Sequence, residues 1–189
     1  LAKLTSDVAK SSSKISKLYH NLMNYDFHST IAKLAIETGA IRPETSEEIS
    51  IKDGINPVFL FQKKKYVPIN INMCQDNRTI VISGPNAGGK TIAIKTLGLF
   101  AIMNQSGLFI PASIARLPIF DNVFIDIGDN QSLEDDLSTF TGHITNIKKF
   151  TESATKSSLI LIDEIGSGTE PESGAGIAEA ILENLHDLG

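Results

Sequence analysis

Residues 79–96 read TIVISGPNAGGKTIAIKT, a β-branched run, a glycine-rich loop and a helical pattern in immediate succession. Nothing else in the chain constrains its fold as strongly. A continuous run such as TIVIS is what a strand buried on both faces shows, and such strands belong to parallel sheets covered by helices. Gly84, Gly89, Lys90 and Thr91 satisfy G-x-x-x-x-G-K-[ST] in full. At average residue frequencies this pattern arises by chance at roughly one start position in thirty thousand. Glycines in such a loop let backbone N–H groups turn inward around phosphate oxygens, and the helix N-terminus adds a favourable dipole. Gly84, Pro85, Asn86, Ala87, Gly88, Gly89, Lys90 and Thr91 are therefore the expected triphosphate cradle. Lys90 would reach the β- and γ-phosphates, and Thr91 would offer its hydroxyl to Mg²⁺.

A loop alone could merely bind. The stretch LILIDE supplies an apolar strand that ends in Asp163, the Walker-B position for a carboxylate in the Mg²⁺ shell, followed by Glu164. Glu164 is placed to orient or deprotonate an attacking water. The alternative for Glu164 is a solvated acid at a strand end. With the phosphate loop upstream, the pair reads as the site of an ATP hydrolase.

The rest of the chain fits an α/β domain. Residues 1–38 read as helical, with Ile15, Leu18, Leu22 and Tyr25 on one face at spacings of three and four, a pattern that marks a packing face. ETGAIRPETSEE supplies Gly39, Pro43 and a polar cluster, a boundary. Short β-rich runs follow in ISI, VFLF and YVPINI, with Lys63, Lys64 and Lys65 as a solvated hairpin tip. Beyond the loop, Ile92, Leu97, Ala101 and Met103 suit a helix that Gly107 ends. VFIDI and SLILIDE read as further buried strands. Between them, Phe140, Ile144, Ile147 and Ala154 share a helical face, and Ile177, Ile181, Leu185 and Leu188 mark a last helix. Strands alternating with helices imply a three-layer α/β domain with a largely parallel sheet, a β-rich part before it and a helical segment at the start.

Bulk properties narrow the setting. The 189 residues are 41% hydrophobic and 21% charged, an ordinary globular balance. A net charge of −5 argues against a wholly basic nucleic-acid surface without excluding a local one. The lone Cys74 cannot form an internal disulfide, which makes a reducing, cytoplasmic setting the expectation. No apolar run has the roughly 18 residues that a membrane span needs. A start at Leu1 and a stop at Gly189 in an unfinished sheet pattern give the expectation of an excised piece.

The Asp-Glu pair is the arrangement of ABC-type ATPases, in which two protomers sandwich two nucleotides. At this point ISGPNAGGKT, DIGDNQSLEDDLSTFTGHITNI and LILIDEIGSGTEPESGAGIAEAIL together resemble the ATPase domain of the MutS superfamily. More narrowly they resemble its second bacterial branch, the MutS-two proteins, across most of residues 22–188. YDFHSTIAKLA is similar to the approach to that domain from the core and lever helices. The resemblance implies a helical segment over 1–42 and the ATPase domain over 43–189. It implies ATP and Mg²⁺ as ligands and a homodimer formed through the ATPase domain. DNA, and the ribosome for some tasks, would be contacted through other domains, in recombination control or rescue of stalled ribosomes. It places an Smr nuclease domain and DNA-clasping parts outside the matched stretch, and it involves no membrane.

Residue by residue, the resemblance gives Gln131 the position of a loop residue that senses Mg²⁺ or the attacking water. Gln131 is equally readable as an ordinary polar loop residue. Ser138 takes the position of the signature serine that reaches the other protomer's γ-phosphate, while on sequence alone it is a good helix N-cap. GSGTEP would line the dimer interface. Tyr66 stands where the family carries an aromatic that stacks on adenine, and a core or hairpin aromatic is the other reading. Two departures stand out. DGINPVF replaces a common Arg-His-Pro, and the family's switch histidine has no counterpart among His20, His28, His143 and His186. His143 reads as structural or surface. The rival readings are a mismatch-repair MutS, a nucleotide-gated dimerisation module with negligible turnover, and a small-molecule kinase, for which no lid or acceptor motif is evident.

Overall fold

The computed structural model describes residues 2–62, 65–85, 89–128, 136–166 and 169–188, and side chains from residue 5 onward except those of 7, 136–140 and 171. The chain divides into two units, Leu1–Ala40 and Ile41–Gly189. The first holds one element, helix α1 (Ala2–Thr38). The stripe of Ile15, Leu18, Leu22 and Tyr25 lies along it and is exposed, against the expectation of a buried packing face. A unit built of one helix has no second element against which to bury a stripe.

The second unit runs β1 (Glu44–Thr45), β2 (Ile49–Gly54), α2 (Pro57–Gln62), β3 (Ile69–Met73), α3 (Lys90–Gln105), β4 (Ile114–Leu117), β5 (Asn122–Asp126), α4 (Asp136–Ser153), β6 (Ser158–Ile162) and α5 (Pro171–Leu188). Four strands form one sheet in the order β1-β4-β2-β3, with β2 antiparallel to both neighbours and β1 parallel to β4. Ile49 pairs with Met73 and Ile51 with Ala115, so the buried side chains of β2 and β4 share a face. β5 and β6 form a second, parallel pair, with Val123 opposite Leu159 and Asp126 opposite Ile162. A parallel pair needs a crossover, and α4 is that crossover.

One apolar cluster ties these parts together. Leu97, Phe100, Ala101 and Met103 of α3 pack with Ile49, Ile51, Ala115 and Leu117 of the larger sheet and with Leu159 and Leu161 of β6. Ile147 and Phe150 of α4 are also buried, and the Phe150 ring stacks on Phe124 of β5 at a centroid separation of 5.0 Å. Ile144 and Ala154 are half-buried, and the Phe140 side chain lies outside those described. At the base of the β5–β6 pair, the hydroxyls of Thr155 and Ser158 donate to Asp121. The Thr155 hydroxyl is the main cause that holds the Asp121 carboxyl below its ordinary value. A depressed carboxyl contributes stability above its unfolded value, and that contribution is lost as pH falls through the folded one.

Four local expectations are corrected. VFLF is helical, because Asn56 and Pro57 supply a start signal that outweighs the β preference of valine and phenylalanine. Asn56 Oδ1 accepts the Val58 N–H at 3.0 Å, and Pro57 takes the first helical position. Of the lysine run, Lys65 lies in the connection from the helix α2 to β3 rather than at a hairpin tip, and Lys63 and Lys64 lie outside the described residues. The TIVIS run forms no ladder among the described residues, and Val81 is 70% exposed. An apolar run is buried as a strand only where neighbouring strands accept its backbone, and no described strand does so. Lastly, among the described residues the larger sheet is mainly antiparallel, and the parallel pairing expected of the whole sheet is confined to β5–β6 and the short β1–β4 contact.

Phe100, fully buried, anchors the common cluster. Phe100→Ala is expected to lower unfolding free energy by about 3–5 kcal/mol. Ile102→Ala, at an exposed position two residues on, should change it by less than about 0.5 kcal/mol. Urea unfolding followed by circular dichroism measures both.

Candidate functional site

The phosphate-loop motif is set by the start of α3. Gly89 caps that helix in the left-handed region (φ 83°), which only glycine adopts without strain. Lys90 and Thr91 form the first turn, where the backbone N–H groups have no partners inside the helix. The Lys90 ammonium donates to the Gly84 carbonyl at 2.6 Å, drawing together the two ends of the loop. Pro85 is exposed beside it, and Asn86, Ala87 and Gly88 lie outside the described residues.

Across from the loop stands the end of β6. Asp163 is 7% exposed, and its side chain accepts the Thr91 hydroxyl at 2.5 Å. Residues 72 positions apart are thereby brought to one point. The Asp163 N–H donates to the Asp126 carbonyl at 2.9 Å, so the adjacent end of β5 holds the backbone that carries this carboxylate. Glu164 follows with φ 55°, a left-handed conformation uncommon for a residue with a side chain, and it is exposed. The turn out of β6 aims Asp163 inward and Glu164 outward. Gly166 (φ 81°) then packs against the Gly174 carbonyl in the first turns of α5. Of the GSGTEP stretch, Ser167 and Gly168 lie outside the described residues.

Of the remaining expected site residues, only the Tyr66 side chain is among those described. Tyr66 is exposed in the irregular segment before β3. Gln131 lies outside the described residues. Ser138 is the third residue of α4 rather than its N-cap, because the helix begins at Asp136; its side chain is outside those described.

Sequence reading missed one participant. Asp126, 6% exposed at the end of β5, accepts from His143 Nδ1 at 2.5 Å and from Asn146 Nδ2 at 3.0 Å. His143 is thus half-buried against a carboxylate, adjoining the acidic edge. Asp126, His143, Asp163, Glu164 and Gly166 line one small cavity of about 10 Å³, walled by isoleucines. The available signal was that His143 and Asn146 fall on the same helical stripe as Ile147 and Phe150.

A hydroxyl and a carboxylate meeting at the mouth of a phosphate-loop motif are hard oxygen donors, the kind that Mg²⁺ takes together with phosphate oxygens. The described residues contain no group of three or more His, Cys, Asp or Glu able to hold a metal by themselves. No described helix is long and apolar enough to cross a membrane.

The family model of MutS domain V matches residues 80–188, a stretch that contains both the loop and the Asp163–Glu164 turn but not Tyr66. The whole chain is 44% identical over 192 residues to the protein named Endonuclease MutS2 of Alkaliphilus oremlandii and to that of Clostridioides difficile. It is 42% identical to that of Symbiobacterium thermophilum. In each case all of this chain aligns with 24% of the relative, so the chain spans about a quarter of the length of the curated relatives it matches.

A Cβ added at Gly166 would overlap the Gly174 carbonyl in a backbone conformation that already disfavours side chains. Gly166→Ala is expected to cost about 1–3 kcal/mol of stability, read from the urea midpoint.

Proposed function

The chain belongs to the MutS family, within its MutS2 branch, and from that membership we propose that residues 43–189 bind and hydrolyse ATP as one half of a two-chain sandwich. The observation that carries this reading is the Thr91–Asp163 contact, which joins the phosphate loop to the acidic end of β6. In this reading residues 84–91 cradle the triphosphate, with loop N–H groups and the Lys90 ammonium on its oxygens. Thr91 and Asp163 hold Mg²⁺, whose contribution when bound is to neutralise charge on the β- and γ-phosphate oxygens.

Glu164 takes the proton of the attacking water. Its position is exposed, one residue beyond the carboxylate that would hold the metal, on the side where a γ-phosphate would extend. General-base help of this kind is worth roughly 10²–10⁴-fold, or about 3–5 kcal/mol of barrier. Gln131 orients the water or senses the metal, Ser138 reaches the γ-phosphate held by the second chain, and Tyr66 stacks on adenine.

The same reading extends to architecture. β5 and β6 belong to a three-layer phosphate-loop domain, with residues 79–83 leading into its phosphate loop. Supporting this, Arg78 Nη1 donates to the Lys156 carbonyl at 3.3 Å, just before β6, while Thr91 meets Asp163 just after it. Arg78, just before the segment, and Thr91, eight residues past it, thus bond near the two ends of β6. Residues 1–42 form the end of the core and lever helices.

ATP-driven closing and opening of the sandwich would move DNA- or ribosome-contacting parts of the whole protein in the cytoplasm, in recombination control or rescue of stalled ribosomes. The nuclease activity in the relatives' name is assigned to none of the residues gathered here.

Phosphate release and ATP-dependent sedimentation of the full-length protein test the proposal. Glu164→Gln should retain ATP binding and lose roughly 10²–10⁴-fold in kcat. Lys90→Ala should lose nucleotide binding itself. ATP-dependent dimers that release no phosphate even in the wild type would sink the hydrolytic reading in favour of a dimerisation module.

A further inference from the structure

Asp126 joins β5 to both α4 and the acidic edge by directional bonds. Its two carboxylate oxygens are met by one helix: His143 Nδ1 at 2.5 Å from Oδ2, and Asn146 Nδ2 at 3.0 Å from Oδ1. Its backbone carbonyl accepts the Asp163 N–H. Gly128, two residues on, leaves room for the imidazole on its other side, since a Cβ there would stand 3.2 Å from His143 Cε1 and 3.3 Å from Nε2. The ring is therefore held between a carboxylate and a bare stretch of backbone. Among the described side chains of α4, Ile147 and Phe150 are also buried, and these are apolar. Apolar burial drives association but is non-directional, and the bonds to Asp126 add a directional constraint to the packing of this helix.

We propose that Asp126, His143 and Asn146 form a positioning clasp that fixes the axial register of α4, and with it Ser138, against the Asp163–Glu164 edge. Ser138 lies five residues before His143, or roughly 7.5 Å along the helix axis. A shift of one residue would move it by roughly 1.5 Å. Misplacement by about 1 Å is enough to cost on the order of 10²-fold in rate. Among the described residues the clasp side chains bond to neither Gly84, Lys90 nor Thr91, so its loss is expected to act on turnover and not on nucleotide binding by one chain. This inference rests on the reading that Ser138 reaches the γ-phosphate held by the second chain.

The test uses the full-length protein with His143→Ala, His143→Asn and Gly128→Ala. It measures kcat, the Kd of a fluorescent ATP analogue, the urea midpoint, and amide hydrogen exchange over residues 139–146. His143→Ala should lower kcat by roughly 10- to 100-fold with Kd unchanged, and should speed exchange in α4. Asparagine keeps a donor for the Asp126 carboxylate, so His143→Asn should restore most of both. Gly128→Ala, whose Cβ would stand 3.2 Å from the ring, should displace it by a few tenths of an ångström and lower kcat less than His143→Ala does. Unchanged kcat and exchange in His143→Ala would overturn the clasp. So would a joint fall of kcat, nucleotide affinity and urea midpoint that asparagine does not rescue, since that is general destabilisation. If the wild type itself releases no phosphate, the ATPase reading fails, and exchange alone decides the clasp: faster in His143→Ala and rescued by asparagine supports it, unchanged overturns it.

Discussion

The seating of α3 in the shared apolar cluster governs the rest of this domain. Leu97, Phe100, Ala101 and Met103 tie the helix to β2 and β4 on the larger sheet and to Leu159 and Leu161 on β6. The fit is close enough that a Cβ at Gly98 would lie 2.7 Å from Leu161 Cδ1. A helix held in this way cannot slide without opening the cluster, since interiors are packed at near-crystalline density. Its first turn is therefore a fixed platform, and Lys90 and Thr91 stand on it. The meeting of Thr91 with Asp163 follows from burial that begins at Leu97, more than one turn further along the helix.

The second constraint is electrostatic. The strand ends of β5 and β6 bring two buried acids, Asp126 and Asp163, to the same edge with Glu164 beside them. Buried carboxylates need partners, and each has one of a different kind: a hydroxyl from α3 for Asp163, and a ring and an amide from α4 for Asp126. Two helices are thus referenced to one strand edge through polar contacts, while their apolar faces supply the burial. This division of labour, bulk stability from hydrocarbon and register from hydrogen bonds, suits an edge where small displacements matter for chemistry.

Much of the local structure was legible in the sequence. β6 is nearly the LILID run, α3 starts where the glycine loop ends, and α4 and α5 follow their apolar spacing. The failures have separate physical causes. VFLF is helical because capping by Asn56 and the fixed φ of Pro57 act on the backbone directly, whereas β preference reflects packing that was not available there. The stripe on α1 is exposed because periodicity marks a face without supplying a partner for it. Residues 79–83 leave the ladder because a strand exists only through its neighbours. The exposed TIVIS run thus has the sequence of an interior strand without described strands on which to express it.

At the site, the chain by itself determined which groups are on hand: a glycine-lysine-threonine turn at a helix start, and an Asp-Glu pair at a strand end. Those are local properties, fixed by residues adjacent in sequence, which is why a motif can name them. Only the tertiary structure decided that Thr91 lies on Asp163, that the peptide of Asp163 is held by Asp126, and that His143 is bound to a buried carboxylate. These contacts join residues 17 to 72 positions apart. No periodicity encodes them, because they depend on how α3 and α4 are set on the strands by packing. A strand-end aspartate and a helix histidine look like solvated residues until the fold removes the water between them.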